Sequence, residues 1–215
     1  MQLIKKVYQW LQLFMIKIGL TGGVSTGKST ALQILRKLGC YTISSDDINH
    51  ELMKTDKVLI QNLKKVFNCV DENGVVNKKA LGKLIFNNKD AKLKLEEMTH
   101  PLIKIVRRDF FKKVEEKGGE FAVCESPLLF EKSLYSEFDY TIILTAPLDV
   151  RIDRFVDSGK GTQEKFFSIT KNQTLDSKKM HMADFVIKNS KTRQYLQEEL
   201  EKVLDEIRKR HAAKR

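Results

Sequence analysis

Apolar residues recur at three- and four-residue intervals along most of the chain, and where that period lapses short, mostly apolar runs take its place. Such runs mark strands covered on both faces, because a parallel strand between helices has no solvent side to keep polar. They fall at Ile16 to Leu20, Cys40 to Ile43, Phe121 to Cys124, Tyr140 to Leu144 and Phe185 to Ile187. The helical period predicts a helix from Lys28 to Leu38, with Ala31, Leu32, Ile34, Leu35 and Leu38 on one face and Gly39 as its C-cap. Asp46 and Asp47 open another that runs through Leu52, and Lys57 to Lys117 reads as almost wholly helical, interrupted by Asp71-Glu72-Asn73-Gly74 and by Asn87-Asn88. Val150 to Val156 and Thr192 to Arg210 complete the helices. Strands alternating with helices predict one α/β domain on a parallel five-stranded sheet. Its core is expected at 15–55, 118–150 and 184–215, with a helical insertion at about 56–117 and a lid at about 154–182 around the glycine-flanked break Asp157 to Thr162.

The first run leads directly into Gly22 to Ser29, GGVSTGKS, which fits G-x-x-x-x-G-K-[ST] between a strand and a helix. Glycines at such a turn let successive backbone N–H groups converge on a phosphate, and the helix N-terminus adds its dipole. Gly23, Val24, Ser25, Thr26, Gly27, Lys28, Ser29 and Thr30 are therefore expected to hold ATP, with Lys28 on the β and γ phosphates and the Ser29 hydroxyl on Mg²⁺. Phosphoryl transfer is largely positioning and charge neutralisation, so the acceptor side needs a group that orients a hydroxyl. Asp46, at the end of the second strand, can take that role or serve as a helix N-cap, and Asp47 reads as the cap. His100-Pro101 reads as a helix break in which the imidazole caps, packs or meets a ligand. Arg107, Arg108, Arg151 and Arg154 are candidate phosphate clamps. Leu128, Leu129 and Phe130 after Pro127 form either the apolar wall of a pocket or core.

Composition changes the picture little. The 215 residues carry 39 Lys and Arg against 28 Asp and Glu, a formal charge of +11 that suits phosphate-rich partners. Cys40, Cys69 and Cys124 are widely spaced, with neither a disulfide framework nor zinc spacing, so a reducing cytoplasm is expected. Residues 1–14 read as an N-terminal extension without a signal-peptide cleavage site, and no run is long enough to span a bilayer. The basic tail Arg208 to Arg215 reads as solvated and frayed rather than as a nucleic-acid patch. A monomer with neither nucleic-acid nor membrane partners is expected.

The motifs together resemble the dephospho-coenzyme A kinase family from Met15 to about Asn189. The resemblance rests on IGLTGGVSTGKST, ISSDDINHEL, VVNKKALGKLIF, His100-Pro101-Leu102-Ile103, PLLFE at Pro127 to Glu131, and ADFVIKN at Ala183 to Asn189. It implies a three-layer P-loop kinase fold and ATP-dependent phosphorylation of the ribose 3′-hydroxyl of dephospho-coenzyme A. It also implies Asp46 as the base, Lys28 as a catalytic cation, Arg154 and Asn189 on ATP, and His100, Arg107, Pro127, Leu128 and Leu129 on the acceptor. Two positions depart from the family pattern. Ser44 stands where many relatives have a second aspartate, and Ser158-Gly159 where many have Arg-Asp, so Lys160 or Arg154 would have to supply the lid cation. A kinase for another nucleotide, and a nucleotide-binding protein that transfers nothing, are the alternative readings.

Overall fold

In the computed structural model, which describes residues 15–170 and 176–214, the apolar runs become the five strands of a parallel sheet. The strands are β1 (Ile16–Gly22), β2 (Tyr41–Ser44), β3 (Phe121–Glu125), β4 (Tyr140–Thr145) and β5 (Phe185–Lys188), in the order β2-β3-β1-β4-β5. Leu20 of β1 is in register with Glu125 on one side and Ile142 on the other, so the carboxyl ends of the three central strands lie together. An open α/β sheet keeps its ligands at that edge.

The helices are α1 (Lys28–Lys37), α2 (Ser45–Thr55), α3 (Lys57–Phe67), α4 (Lys78–Asn87), α5 (Lys89–Glu116), α6 (Leu148–Asp157), α7 (Gln163–Thr170), α8 (Asp176–Met180) and α9 (Arg193–Ala213). A single 3-10 turn, Leu134–Glu137, sits between β3 and β4. The chain divides into two compact units, one running to Ile43 and resuming at Lys113, the other Ser44–Lys112. The predicted extension at 1–14 and residues 171–175 of the predicted lid lie outside the described residues.

In the first unit, alternate strand residues meet two helices. Ile16, Ile18 and Leu20, Phe121 and Val123, and Tyr140, Ile142 and Leu144 share a core with Ala31, Ile34 and Leu35 of α1 and with Leu196, Leu200, Leu204 and Ile207 of α9. The intervening residues Gly19, Thr21, Ala122, Cys124, Thr141 and Ile143 are buried as well, which is why no period of two shows in the sequence. At Gly19 a Cβ would lie 2.5 Å from Leu129 Cδ1 and 3.0 Å from Phe138 Cδ2, so the chain after β3 sits directly on the strand backbone. The second unit has its own core of Met53, Leu59, Leu63, Phe67, Leu81, Ala91 and Leu95.

Three local expectations are corrected. His100-Pro101 does not break a helix, because α5 runs unbroken from Lys89 to Glu116. Proline removes one i→i−4 bond and crowds the carbonyl of Glu97, at about 3 kcal/mol. Ala91, Leu95 and Thr99 before it and Arg107 and Phe111 after it are all buried, so packing on both sides outweighs that loss. Asp47 is not the cap of α2. Ser44 holds that position in extended conformation, and Asp46 and Asp47 lie inside the first turn, where their charge favours the helix dipole.

The basic tail is not frayed either: α9 continues to Ala213. Arg208 makes a two-point pair with Glu120, at 2.6 and 3.0 Å, and its guanidinium lies 4.9 Å from the Phe121 ring centroid. Arg210 covers Phe185 at 4.7 Å and Lys214 covers Tyr140 at 4.7 Å. Phe121, Tyr140 and Phe185 are the first residues of β3, β4 and β5, so the tail fastens the amino edge of the sheet, opposite the ligand edge.

Cys40, Cys69 and Cys124 are free and buried. Burial pushes the Cys40 thiol up to about 12 from an ordinary value of 9.0, the more weakly acting Arg208 pulling the other way. Folding therefore favours the neutral thiol, and this contribution to stability is complete below pH 9 and disappears as pH rises toward 12. At pH 8.5, iodoacetamide should alkylate Cys40 only after denaturation, as peptide mass spectrometry of native and unfolded samples would show; modification of the native protein at the rate of a free thiol would contradict it.

Candidate functional site

The loop between β1 and α1 is shaped by two glycines that side chains could not replace. Gly22, at φ 154, would place a Cβ 2.5 Å from the Leu144 carbonyl oxygen. Gly27 is left-handed at φ 97 and lies against the Asn189 amide, where a Cβ would overlap it. Gly27 is also the N-cap of α1 and offers no side-chain acceptor, so the first N–H groups of that helix are left to a ligand.

Within the loop, Thr26 Oγ1 donates to the Gly23 carbonyl at 3.0 Å. Lys28 curls back, its Nζ donating to the carbonyls of Gly22 at 2.9 Å and Gly23 at 3.1 Å, with Glu125 Oε1 at 4.0 Å. Glu125 closes β3 and its side chain is only 6% exposed, so a carboxylate and an ammonium face each other at the cradle with little solvent between them. Ser29 is exposed on the first turn of α1. Ser25 stands left-handed at φ 58, a region that costs a residue with a side chain roughly 1 kcal/mol.

The outer side of the loop is braced from the far end of the sheet. Arg151 on α6 donates Nε to the Val24 carbonyl at 2.8 Å, and its guanidinium lies 5.5 Å from the ring of buried Phe166 on α7. Asn189, just past β5, donates its amide to the Thr26 carbonyl at 2.9 Å and is 5% exposed. Arg154 donates Nη1 to the Asn189 carbonyl at 2.9 Å. Asn189, expected on ATP, is held against the loop and braces it through Thr26.

One further assignment changes. Leu129 has no exposed surface and packs on Gly19, so it belongs to the core, whereas Pro127 and Leu128 keep partial exposure. Glu131 of the same turn pairs with Lys179 of α8 at 2.5 Å, and Lys179 is 1% exposed. Ser158, standing where the family pattern has a cation, donates Oγ to the Phe155 carbonyl at 3.1 Å and closes α6. Lys160 is exposed, its carbonyl taken by Lys165 Nζ at 2.7 Å.

The remaining site residues belong to the second unit. Asp46 is exposed in the first turn of α2. His100 and Arg107 are seven residues apart on α5, two turns along one face; His100 is half-buried and Arg107 only 2% exposed. Sequence reading singled out neither Glu125 nor the link from Arg151 to the loop. The signal for Glu125 is available, a lone acid at the carboxyl end of an apolar strand; that for Arg151 is not, since a helical arginine looks the same whether solvated or docked. Among the described residues no group of three or more His, Cys, Asp or Glu could hold a metal, and no helix is long and apolar enough to cross a membrane.

A parallel sheet whose central strand ends in a glycine-shaped loop, with a lysine inside that loop and a carboxylate on the next strand, defines a P-loop nucleotide-binding protein. The family model for dephospho-CoA kinase matches residues 16–194, and the chain belongs to that family. It is 32% identical over 192 residues to the dephospho-CoA kinase of Bartonella quintana, covering 89% of this chain and 98% of that one. To the dephospho-CoA kinase of Aquifex aeolicus it is 30% identical over 200 residues, 90% and 98% covered. Among solved structures, dephospho-CoA kinase from Campylobacter jejuni superposes with a TM-score of 0.66 at 29% identity, over 91% of this chain and 98% of that one. A Thermus thermophilus protein superposes at 0.78 with 26% identity, over 89% and 97%.

Proposed function

We propose that the protein transfers the γ-phosphoryl group of ATP to the ribose 3′-hydroxyl of dephospho-coenzyme A, giving coenzyme A and ADP, the last step of coenzyme A synthesis. The bond between the γ-phosphorus and the β,γ-bridging oxygen breaks, a bond to the 3′-oxygen forms, and the hydroxyl proton leaves to Asp46. The observation that carries this reading is Lys28, whose ammonium sits in the Gly22–Ser29 loop on two carbonyls it can exchange for phosphate oxygens. Backbone N–H groups of Gly23 to Thr30 would hold the donor phosphates. Arg151 would bring its charge to the loop rim and so supply a cation that Ser158 cannot. His100, Arg107, Pro127 and Leu128 would meet the acceptor.

The donor set suits Mg²⁺: the Ser29 hydroxyl and the Glu125 carboxylate are hard oxygen ligands that would hold it. When bound, that ion neutralises charge on the β and γ phosphates. The reading includes a monomer in a reducing cytoplasm, which suits three free, buried cysteines.

The test is ADP release from Mg-ATP with dephospho-coenzyme A, adenosine or AMP as acceptor. Turnover selective for dephospho-coenzyme A is expected. Preference for adenosine or AMP would make the protein a kinase of another nucleotide, and ATP binding without transfer to any acceptor would make it a non-catalytic nucleotide-binding protein.

A further inference from the structure

Ser25 carries two unfavourable features at once. Its backbone is left-handed, at φ 58, where glycine is the residue without penalty, and the neighbouring turns of the same loop do use glycine at Gly22 and Gly27. Its hydroxyl oxygen is shut off from solvent and has no hydrogen-bond partner. Two other polar side chains of the loop contrast with it: Thr26 Oγ1 is bonded to Gly23, and Lys28 Nζ to Gly22 and Gly23. A strained backbone and a buried polar group without a partner both call for an explanation, and a strained residue at a binding loop points to the ligand the loop receives.

We propose that the Ser25 hydroxyl is a nucleotide-affinity determinant, donating a hydrogen bond to a phosphate oxygen of the bound nucleotide. The loop described here is bonded to itself, with Lys28 on its carbonyls. Phosphate arrival takes Lys28 off Gly22 and Gly23, and the rearranged loop gives the hydroxyl an anionic acceptor. Hydrogen bonds to charged acceptors are stronger than neutral ones, so the gain on binding offsets the cost of the strained backbone and the unpartnered hydroxyl. This side-chain donor adds to the backbone N–H groups that any sequence fitting the loop pattern supplies. The inference rests on the nucleotide half of the proposed function and is independent of the acceptor.

The experiment is calorimetric titration of ATP and ADP, without acceptor, into the wild type, Ser25→Gly and Ser25→Ala, with a thermal melt of each protein. Glycine relaxes the backbone and removes the hydroxyl; alanine removes the hydroxyl and keeps the strain. Both variants should bind ATP about tenfold more weakly, while Ser25→Gly melts no lower than the wild type. A merely structural role would move Tm and affinity together. Ser25→Gly binding ATP as tightly as the wild type would overturn the proposal. Because no acceptor is present, failure of dephospho-coenzyme A turnover in the wild type would leave it standing, so the two readings fail separately.

Discussion

Alanine in place of Lys28 should lower kcat by about 10³-fold, the size of effect seen when a preorganised donor to developing charge is lost. The ammonium is the cation the loop itself holds: 17% exposed, on the carbonyls of Gly22 and Gly23, and 4.0 Å from Glu125. Its removal does more than delete a charge beside the γ-phosphoryl group. It leaves the buried Glu125 carboxylate near an incoming polyanion without that screening, so ATP affinity should fall along with the rate. The fold should survive, because Lys28 contributes nothing to the core that α1 and α9 build on the sheet. Steady-state rates at saturating ATP, with a circular dichroism melt as control, make the check. A kcat within tenfold of wild type would show that the transferred charge is neutralised elsewhere.

Asp46→Asn should behave differently, cutting kcat by roughly 10²- to 10⁴-fold while the Kd for ATP stays unchanged. Asparagine keeps the shape of the side chain but cannot take a proton. Asp46 lies in the first turn of α2 beside Asp47, so loss of its charge there should shift stability by no more than about 1 kcal/mol. Rate and binding therefore separate. A near-normal kcat would leave Asp46 only its place in the first turn of the helix that Ser44 caps.

Sheet and loop were legible because each leaves a local signature. The three central strands are short, mostly apolar and buried on both faces, and the loop pattern is read residue by residue. What sequence could not show depends on residues far apart in the chain. Nothing local to Asn189 shows that its amide reaches Thr26, 163 residues away. Leu129 looks like a pocket wall until Gly19 is found beneath it. Pro101 ends a helix by every local rule, and is overruled by the buried residues on either side. The tail is a plain cluster of cations until three strand-leading rings receive it. In each case the local rule is sound and a long-range contact outweighs it.

The way α9 completes the first core also orders events on the ribosome. Ser44–Lys112 is contiguous and can gather its own core as soon as it emerges, whereas Ile18, Leu20 and Val123 need Leu196 to Ile207, which are made much later. At about 5–20 residues per second, on the order of ten seconds or more separate the synthesis of β1 from that of its covering helix. For that interval the nascent sheet presents bare apolar strands, so an elongating chain is most exposed to misassociation in its catalytic half rather than in its insertion.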